Sequence, residues 1–337
     1  MQDPITDVRE ISRIAYGFKA SKALLVAVDL ELFSRLSGGA KSLAALADEL
    51  KVAENRLDTL LTALTSIGLL VRDGDAYTNA PASENYLVCG KPAYFGDYFN
   101  LQTDKFIFPA YDDLGSVIKG RGAPEVWRDY ESLMGDVETA NRFSKGQHAG
   151  SLGPAIALSK QVNLTSKERL LDVAGGSGAF TIMLLKRNPD LSATILDFPT
   201  ALPVAERFIG DAGLAGRVEL VAGNAITGDW PQGHDVVLMS YFFSAVSVDA
   251  IGVLLEKAFR ALPPGGVLVV HDFIVDDDKT GPREAALWFL TCMFNCPDAV
   301  VLTPRLIGGR ISDAGFDEAE VADVIPNLTK VFVAHKA

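Results

Sequence analysis

Leu170-Leu-Asp-Val-Ala-Gly-Gly-Ser-Gly-Ala-Phe180 decides how the rest of the chain is read. Leu170 and Leu171 open a strand buried on both faces, and Asp172 stands at its end. Gly175, Gly176 and Gly178 then remove Cβ atoms where the backbone must turn tightly and let a ligand come close. A helix follows, opening near Ser177. Strand, small-residue turn and helix in that order form the usual nucleotide-site arrangement of open α/β sheets. The details choose among nucleotides. A dinucleotide loop wants its third small residue where this chain has the β-branched Thr181. The carboxylate of Asp172, just before the loop, serves an anion poorly and a cation well.

Outward from the loop, Asp197 ends a second apolar strand, Ala193-Thr-Ile-Leu-Asp-Phe198. It lies about nineteen residues past Gly178, the usual spacing of an acid that accepts ribose hydroxyls. A turn aspartate capping the next helix is the bland alternative, and the glycine loop upstream favours the ribose role. Arg217-Val-Glu-Leu-Val-Ala-Gly-Asn-Ala225 and Ala261-Leu-Pro-Pro-Gly-Gly-Val-Leu-Val-Val270 follow in order. Together with LLDVAGGSGAF and LDFPTALPVA, they make the chain resemble the S-adenosylmethionine-dependent methyltransferases. More narrowly, it resembles the two-domain O-methyltransferases of plant and bacterial secondary metabolism, over most of its length.

That resemblance implies an α/β fold, a Rossmann-like methyltransferase sheet with an N-terminal helical, winged-helix dimerisation domain. It implies S-adenosylmethionine as cofactor, S-adenosylhomocysteine as product, a small-molecule acceptor and a homodimer. It places the cofactor on Asp172, Gly175, Gly176, Gly178, Asp197, Phe198, Asn224, Ala225, Ser240 and Tyr241. Ala174 replaces the first glycine of the family's loop. Asn224 replaces an acid that meets the adenine amino group, and an amide carbonyl accepts the same hydrogen bond.

A larger departure concerns the general base, a histidine in the family's His-Asp-Trp triplet. Counted back from Ala261-Leu-Pro-Pro-Gly-Gly266, the triplet's positions are Ser244, Ala245 and Val246. A hydroxyl acceptor must lose its proton as it attacks, and serine does not take it unaided near neutral pH. The acid that steers the family's histidine falls at Asp272, beside His271. His148, His271 and Tyr241 are the candidates for a relocated base, although His271 also reads as a satisfied ring inside the core. A thioether sulfur needs no base at all, because it is already a neutral nucleophile that positioning can activate. The expected reaction is therefore S-methylation of a thioether acid such as 4-methylthio-2-hydroxybutyrate, as in dimethylsulfoniopropionate synthesis. The alternatives are O- or C-methylation of a secondary metabolite with a relocated base, and a ligand-binding or regulatory protein that does not methylate.

The acceptor side is expected at Tyr98, Phe99, Arg142, Phe143, Gln147, His148, Phe243 and Ser244. Aromatic faces would stabilise a sulfonium product. Arg142 or His148 would hold an acceptor carboxylate. Gln147 stands at the methionine of the family's FxxxM pattern.

At 337 residues the chain has room for more than one core. The expected divisions are a winged-helix-like dimerisation domain at 1–90, a helical linker and acceptor-pocket region at 91–160, and a cofactor domain at 161–337. A net charge of −12 argues against a nucleic-acid partner. No apolar run approaches a membrane span, and MQDPITDVRE lacks a signal peptide's apolar core, so no membrane partner and a cytoplasmic location are expected. Cys89, Cys292 and Cys296 are too few for a disulfide framework. Cys292 and Cys296, one helical turn apart, read as core thiols more readily than as a metal pair. No metal is expected.

Residues 5–36 carry apolar positions at helical spacing, Ser42 caps a helix to Leu50, and another runs from Glu54 to about Ile67. A small hairpin follows around Asp73-Gly-Asp75. Winged helices often bind DNA, but ENRLDTLLTALTSIG offers one arginine against two acids and little to read base edges. Residues 90–137 are rich in aromatics, including Trp127, and are broken by Pro109 and Pro124. A linking helix covers Glu138–Leu158. Strands are expected at 169–174, 193–198, 217–222, 235–241 and 266–274, with a closing antiparallel pair at 316–324 and 328–335.

Overall fold

The computed structural model describes residues 4–122 and 130–337, so Pro124 and Trp127 lie outside the described residues. The chain divides between Lys105 and Phe106 into two compact units. That division lies beyond residue 90, because Phe99 still packs against the core of the first unit.

In the first unit the apolar run 5–36 forms three helices: α1 Val8–Ala15, α2 Gly17–Asp29 and α3 Leu32–Leu36. The breaks fall at Tyr16, the α1 C-cap, and at Glu31, whose φ of 52° is left-handed. Asp7 caps α1, its carboxylate accepting the Arg9 N–H at 2.8 Å. Ser42 caps α4 (Leu43–Leu50), and α5 covers Glu54–Ser66. Strands β1 (Lys41–Ser42), β2 (Leu70–Asp73) and β3 (Ala76–Asn79) form an antiparallel sheet in the order β1-β3-β2. Leu32, Phe33, Leu46, Leu57, Leu61 and Tyr77 fill its core. By contrast α1 buries nothing, and Ile11, Ile14 and Phe18 stand 57, 64 and 56% exposed.

The second unit is a seven-stranded sheet in the order β6-β5-β4-β7-β8-β10-β9. Its strands are β4 Arg169–Val173, β5 Ser192–Asp197, β6 Val218–Ala222, β7 Val236–Ser240, β8 Val267–Phe273, β9 Glu320–Ile325 and β10 Thr329–His335. The pairs β4–β5, β5–β6, β4–β7 and β7–β8 are parallel, while β10 runs antiparallel to both neighbours. This is the doubly wound sheet read from the sequence. From β4 the chain winds outward to β5 and β6, then returns to the other side at β7. The carboxyl ends of β4 and β7 thus flank the reversal of strand order, where open α/β sheets bind ligands.

Helix α6 (Val137–Gln161) runs three residues past Leu158 and continues through Pro154. Helix α7 (Ala179–Arg187) opens two residues later than Ser177, because Gly178 at φ 76° supplies the left-handed turn into it. Helices α8 (Leu202–Asp211), α9 (Val248–Ala261), α10 (Arg283–Asn295) and α11 (Pro304–Asp313) complete the layers. Among the described residues no helix is long and apolar enough to cross a membrane.

Candidate functional site

The turn after β4 is shaped by what it must pass. A Cβ on Gly175 would stand 2.7 Å from the Asp172 carboxyl carbon and 3.0 Å from Ile195. Gly176 and Gly178 both have positive φ, and a Cβ on Gly178 would meet Ile195 at 3.1 Å. Ala174, in place of a loop glycine, also takes a left-handed φ of 57°. Only glycine adopts that region without strain, so the substitution holds some backbone strain beside the cleft.

Asp172 is 1% exposed and accepts the Thr181 hydroxyl at 2.6 Å. Thr181, too large for a dinucleotide loop, has a second role here. Its hydroxyl is the partner that keeps this buried acid satisfied, and the acid–threonine spacing was the signal available for it. Burial pushes the Asp172 carboxyl up to about 7, with the neighbouring charge of Asp197 adding to the rise and Thr181 opposing it.

Asp197 sits at the end of β5. One carboxylate oxygen accepts the Gly176 N–H and the other its own neighbour Phe198 N–H, both at 2.7 Å. Each oxygen keeps a lone pair for a ligand hydroxyl. Burial raises this acid to about 6 against those two donors. Phe198 is half-buried and packs against the cluster that includes Phe106, Phe143 and Phe294.

After β6, Asn224 and the buried Ala225 open a tight turn. The Asn224 carbonyl oxygen accepts the N–H groups of Ile226 at 2.9 Å and Thr227 at 3.1 Å. It is therefore not the free acceptor expected from the sequence: closing the turn occupies both of its lone pairs. After β7, Ser240 bonds His271 Nδ1 at 2.8 Å, and Tyr241 takes a left-handed φ of 55°.

The candidate bases are poor ones. His271 is 0% exposed, its Nε2 has no partner among the described residues, and burial pushes its pKa down to about 3. Phe180 and Tyr241 enclose the ring at 5.3 and 4.7 Å. His148 is 9% exposed, with Nδ1 on the Ser177 hydroxyl at 3.0 Å and its ring stacked on Phe208 at 3.5 Å. Burial and the charge of Arg207 push it down to about 4. It braces the glycine loop from α6, a link that sequence spacing does not reveal. Ser244 is 3% exposed, and its backbone N–H is held by Asp272 at 3.0 Å. Burial raises Asp272 to about 6 against hydrogen bonds from the side chain and backbone of Ser244 and from the backbone N–H groups around it. Burial and the nearby Asp272 charge push the Cys292 thiol up, so it stays protonated there.

The acceptor-side residues scatter. Arg142 is exposed and pairs with Glu138 at 3.0 Å, one turn away on the solvent face of α6. It does not stand ready for an acceptor carboxylate. Phe143 is 1% exposed in a core contact with Phe106, and Phe243 is equally buried, so both are packing residues. Gln147 is half-buried. Tyr98 and Phe99 belong to the first unit, where both rings gather around Phe95. An aromatic series starts at Tyr241, three residues before Ser244: Tyr241 and Phe273 at 4.8 Å, and Phe273 stacked on Trp288 at 4.8 Å. Among the described residues no three His, Cys, Asp or Glu side chains gather as a metal site.

The O-methyltransferase domain matches residues 119–317, and the O-methyltransferase dimerisation domain matches residues 12–89. The chain belongs to the O-methyltransferase family. It is 31% identical over 280 residues to the 3-hydroxy-5-methyl-1-naphthoate 3-O-methyltransferase of Streptomyces sahachiroi, covering 82% of this chain and 80% of that one. It is 27% identical to the tetracenomycin polyketide synthesis 8-O-methyl transferase TcmO of Streptomyces glaucescens, covering 95% and 96% of the two chains. In fold it matches the human N-acetylserotonin methyltransferase solved with SAM, with a TM-score of 0.87 at 19% identity over the whole of both chains. The protein is thus an S-adenosylmethionine-dependent methyltransferase of small molecules, with the dimerisation domain of its family at the N-terminus.

Proposed function

We propose that this enzyme methylates a hydroxyl of a planar aromatic secondary metabolite and that it does so without a histidine base at the acceptor. The observation that carries the reading is the acceptor end of β7 and β8. There Ser244 falls at the position that the resemblance gives to the base, and its N–H is held by Asp272, the chain neighbour of Phe273 in the Tyr241–Phe273–Trp288 aromatic series. The relatives named for a naphthoate and a tetracenomycin polyketide agree in acceptor class.

The cofactor side fits S-adenosylmethionine. Asp197 keeps a lone pair on each oxygen for the two ribose hydroxyls, and Gly176, whose missing Cβ would meet nothing within 4 Å, leaves open space for a ligand. The buried Asp172 offers a negative charge to a cationic ligand. Phe198, Asn224 and Ala225 would hold the adenine, with Ser240 and Tyr241 at the opposite lip. When bound, S-adenosylmethionine supplies an electrophilic methyl group on a sulfonium.

Nothing at Ser244 takes the acceptor's proton, and a histidine lowered to about 4, as His148 is, draws it weakly. An ordinary phenol titrates near 10, so only about one molecule in a thousand is ionised at pH 7, a cost of about 4 kcal/mol. A hydroxyl acidified by a neighbouring carbonyl or an electron-poor ring escapes most of that cost. The acceptor thus brings its own acidity, and the enzyme contributes alignment and water exclusion. The thioether-acid reading loses its support: of its two partners for a carboxylate, Arg142 lies on the solvent face with Glu138 and burial keeps His148 neutral near pH 7, while the relatives named for a naphthoate and a tetracenomycin polyketide point to another acceptor class.

The exposed apolar residues Ile11, Ile14 and Phe18, inside or beside the matched dimerisation segment, support a homodimer. Labelled S-adenosylmethionine offered with aromatic hydroxy acids and thioether acids tests the reaction. Label recovered as an aromatic methyl ether supports it, and label recovered only on sulfur overturns it.

A further inference from the structure

The turn after β6 is closed by hydrogen bonds to the Asn224 side chain and to carbonyls of the turn itself. The Asn224 side-chain carbonyl takes the N–H groups of Ile226 and Thr227, at 2.9 and 3.1 Å. Turning that amide over would set its NH2 against those same two donors, so its orientation is fixed. The Asn224 backbone carbonyl takes the Gly228 N–H at 2.8 Å. The Ala225 carbonyl receives the Trp230 indole N–H at 2.8 Å and the Lys257 ammonium at 3.0 Å. Lys257 also reaches the carbonyls of Ile226 at 2.6 Å and Gly228 at 2.7 Å. One ammonium on α9 therefore gathers three carbonyls of the turn. A Cβ on Gly228 would stand 2.9 Å from the Asn224 carbonyl oxygen, so the turn has no slack for rearrangement. The Asn224 NH2 and the Ala225 N–H have no partner among the described residues.

We propose that this turn meets its nucleobase with the Asn224 NH2 and the Ala225 N–H, so that Asn224 makes the cofactor site indifferent to an amino or a carbonyl group at the purine 6-position. The inference rests on the reading that the adenine lies against Asn224 and Ala225. An aspartate at this position would close the turn with one oxygen and offer the other to the 6-amino group. The amide offers NH2 instead, which opposes an amino group and matches a 6-carbonyl oxygen. Adenine N1 accepts from the Ala225 N–H, whereas a 6-carbonyl purine carries a proton on N1 and does not, so each base makes one matched and one opposed contact with the two donors. Asp229, also on this turn, is exposed, and its charge acts on Lys257.

Calorimetry on the full chain, with S-adenosylhomocysteine and S-inosylhomocysteine as ligands, tests this. The wild type is expected to bind the two within about threefold of each other, the scale of one weak net hydrogen bond. Asn224→Asp is expected to prefer the adenosyl compound by about tenfold, as a charged acceptor meets the amino group. Asp229→Asn is expected to leave the wild-type ratio where it is. A wild-type preference for the adenosyl compound of tenfold or more overturns the proposal, and its loss in Asp229→Asn would identify Asp229 as the acceptor. An unchanged ratio in a folded Asn224→Asp, checked by its melting temperature, also overturns it. If that variant does not fold, the wild-type ratio alone decides. Failure of the wild type to bind either compound would instead remove the underlying cofactor placement.

Discussion

The buried carboxylate of Asp272 accepts the backbone N–H of Ser244 at 3.0 Å and that of Phe273 at 2.8 Å. The acid that in the family steers a histidine ring here holds the loop itself. Asp272→Asn would set an NH2 against one of those two N–H groups. The expected result is a loss of about 1–3 kcal/mol of stability, the cost of an unsatisfied buried donor, read as a lower melting temperature. Turnover of an acidic aromatic hydroxyl should fall by less than about a hundredfold, since no proton passes through this acid.

The cleft acids give the ligand-free protein a pH signature. Asp172, Asp197 and Asp272 are raised from 3.8 to about 7, 6 and 6, so the folded state holds protons that the unfolded chain has released. Their contribution to stability is full below 3.8 and is lost as pH rises through 6 to 7. His148 and His271 are lowered from 6.5 to about 4 and 3, so theirs is present above 6.5 and lost as pH falls through that lower range. The two sets oppose each other between about 4 and 6.5. Above 6.5 the terms of these two histidines are constant and Asp172 still titrates, so the melting temperature should fall between pH 6.5 and 8 in thermal scans.

Cofactor binding should show the opposite trend. Asp197 must be ionised to accept both ribose hydroxyls, so S-adenosylhomocysteine affinity should drop by about tenfold per pH unit below 6 and level off above 7. Calorimetry near pH 6 in two buffers of different ionisation enthalpy should detect proton release on binding. Proton uptake would contradict the role given to this acid.

Gly175→Ala places a methyl 2.7 Å from the Asp172 carboxyl carbon, so either that acid or the turn must move. We expect S-adenosylhomocysteine affinity to fall by more than about tenfold with the fold retained, since packing conflicts of this size cost about 1–3 kcal/mol. Asp197→Ala should lose at least as much, because two ribose hydroxyls then lack their acceptor. Unchanged affinity in both would remove the cofactor assignment.

Ile14→Asp and Phe18→Asp place charges on the exposed apolar helices of the first unit. In a homodimer through this face, light scattering should show the mass falling from dimer to monomer. A wild-type monomer would contradict the proposed assembly.

The sheet was legible because its parallel strands are continuous apolar runs ending in punctuation, as at Leu170–Asp172 and Ala193–Asp197. The glycine turn and Asp197 were legible because backbone strain and spacing leave few other residues possible there. Residues whose roles depend on long-range partners were not legible. The Phe208 stack and the Ser177 hydroxyl define His148, and neither neighbours it in sequence. The Glu138 pair of Arg142 lies on the solvent face, and the Phe106 contact makes Phe143 a core residue, neither of which residue type alone reveals. Asn224 was recognised as a departure, but which end of its amide stays free depends on the Ile226 and Thr227 N–H groups.

The most direct test of base-free transfer is a rate series. Methyl transfer from labelled S-adenosylmethionine would be measured across aromatic hydroxyl acceptors of similar shape and graded acidity, with wild-type enzyme and His148→Phe. The account expects turnover at pH 7 to rise as the hydroxyl pKa falls toward 7 and then to level off, with His148→Phe following the same curve within about tenfold. Turnover independent of acceptor acidity, together with a loss of about a hundredfold or more in His148→Phe, would show that the protein supplies the base after all.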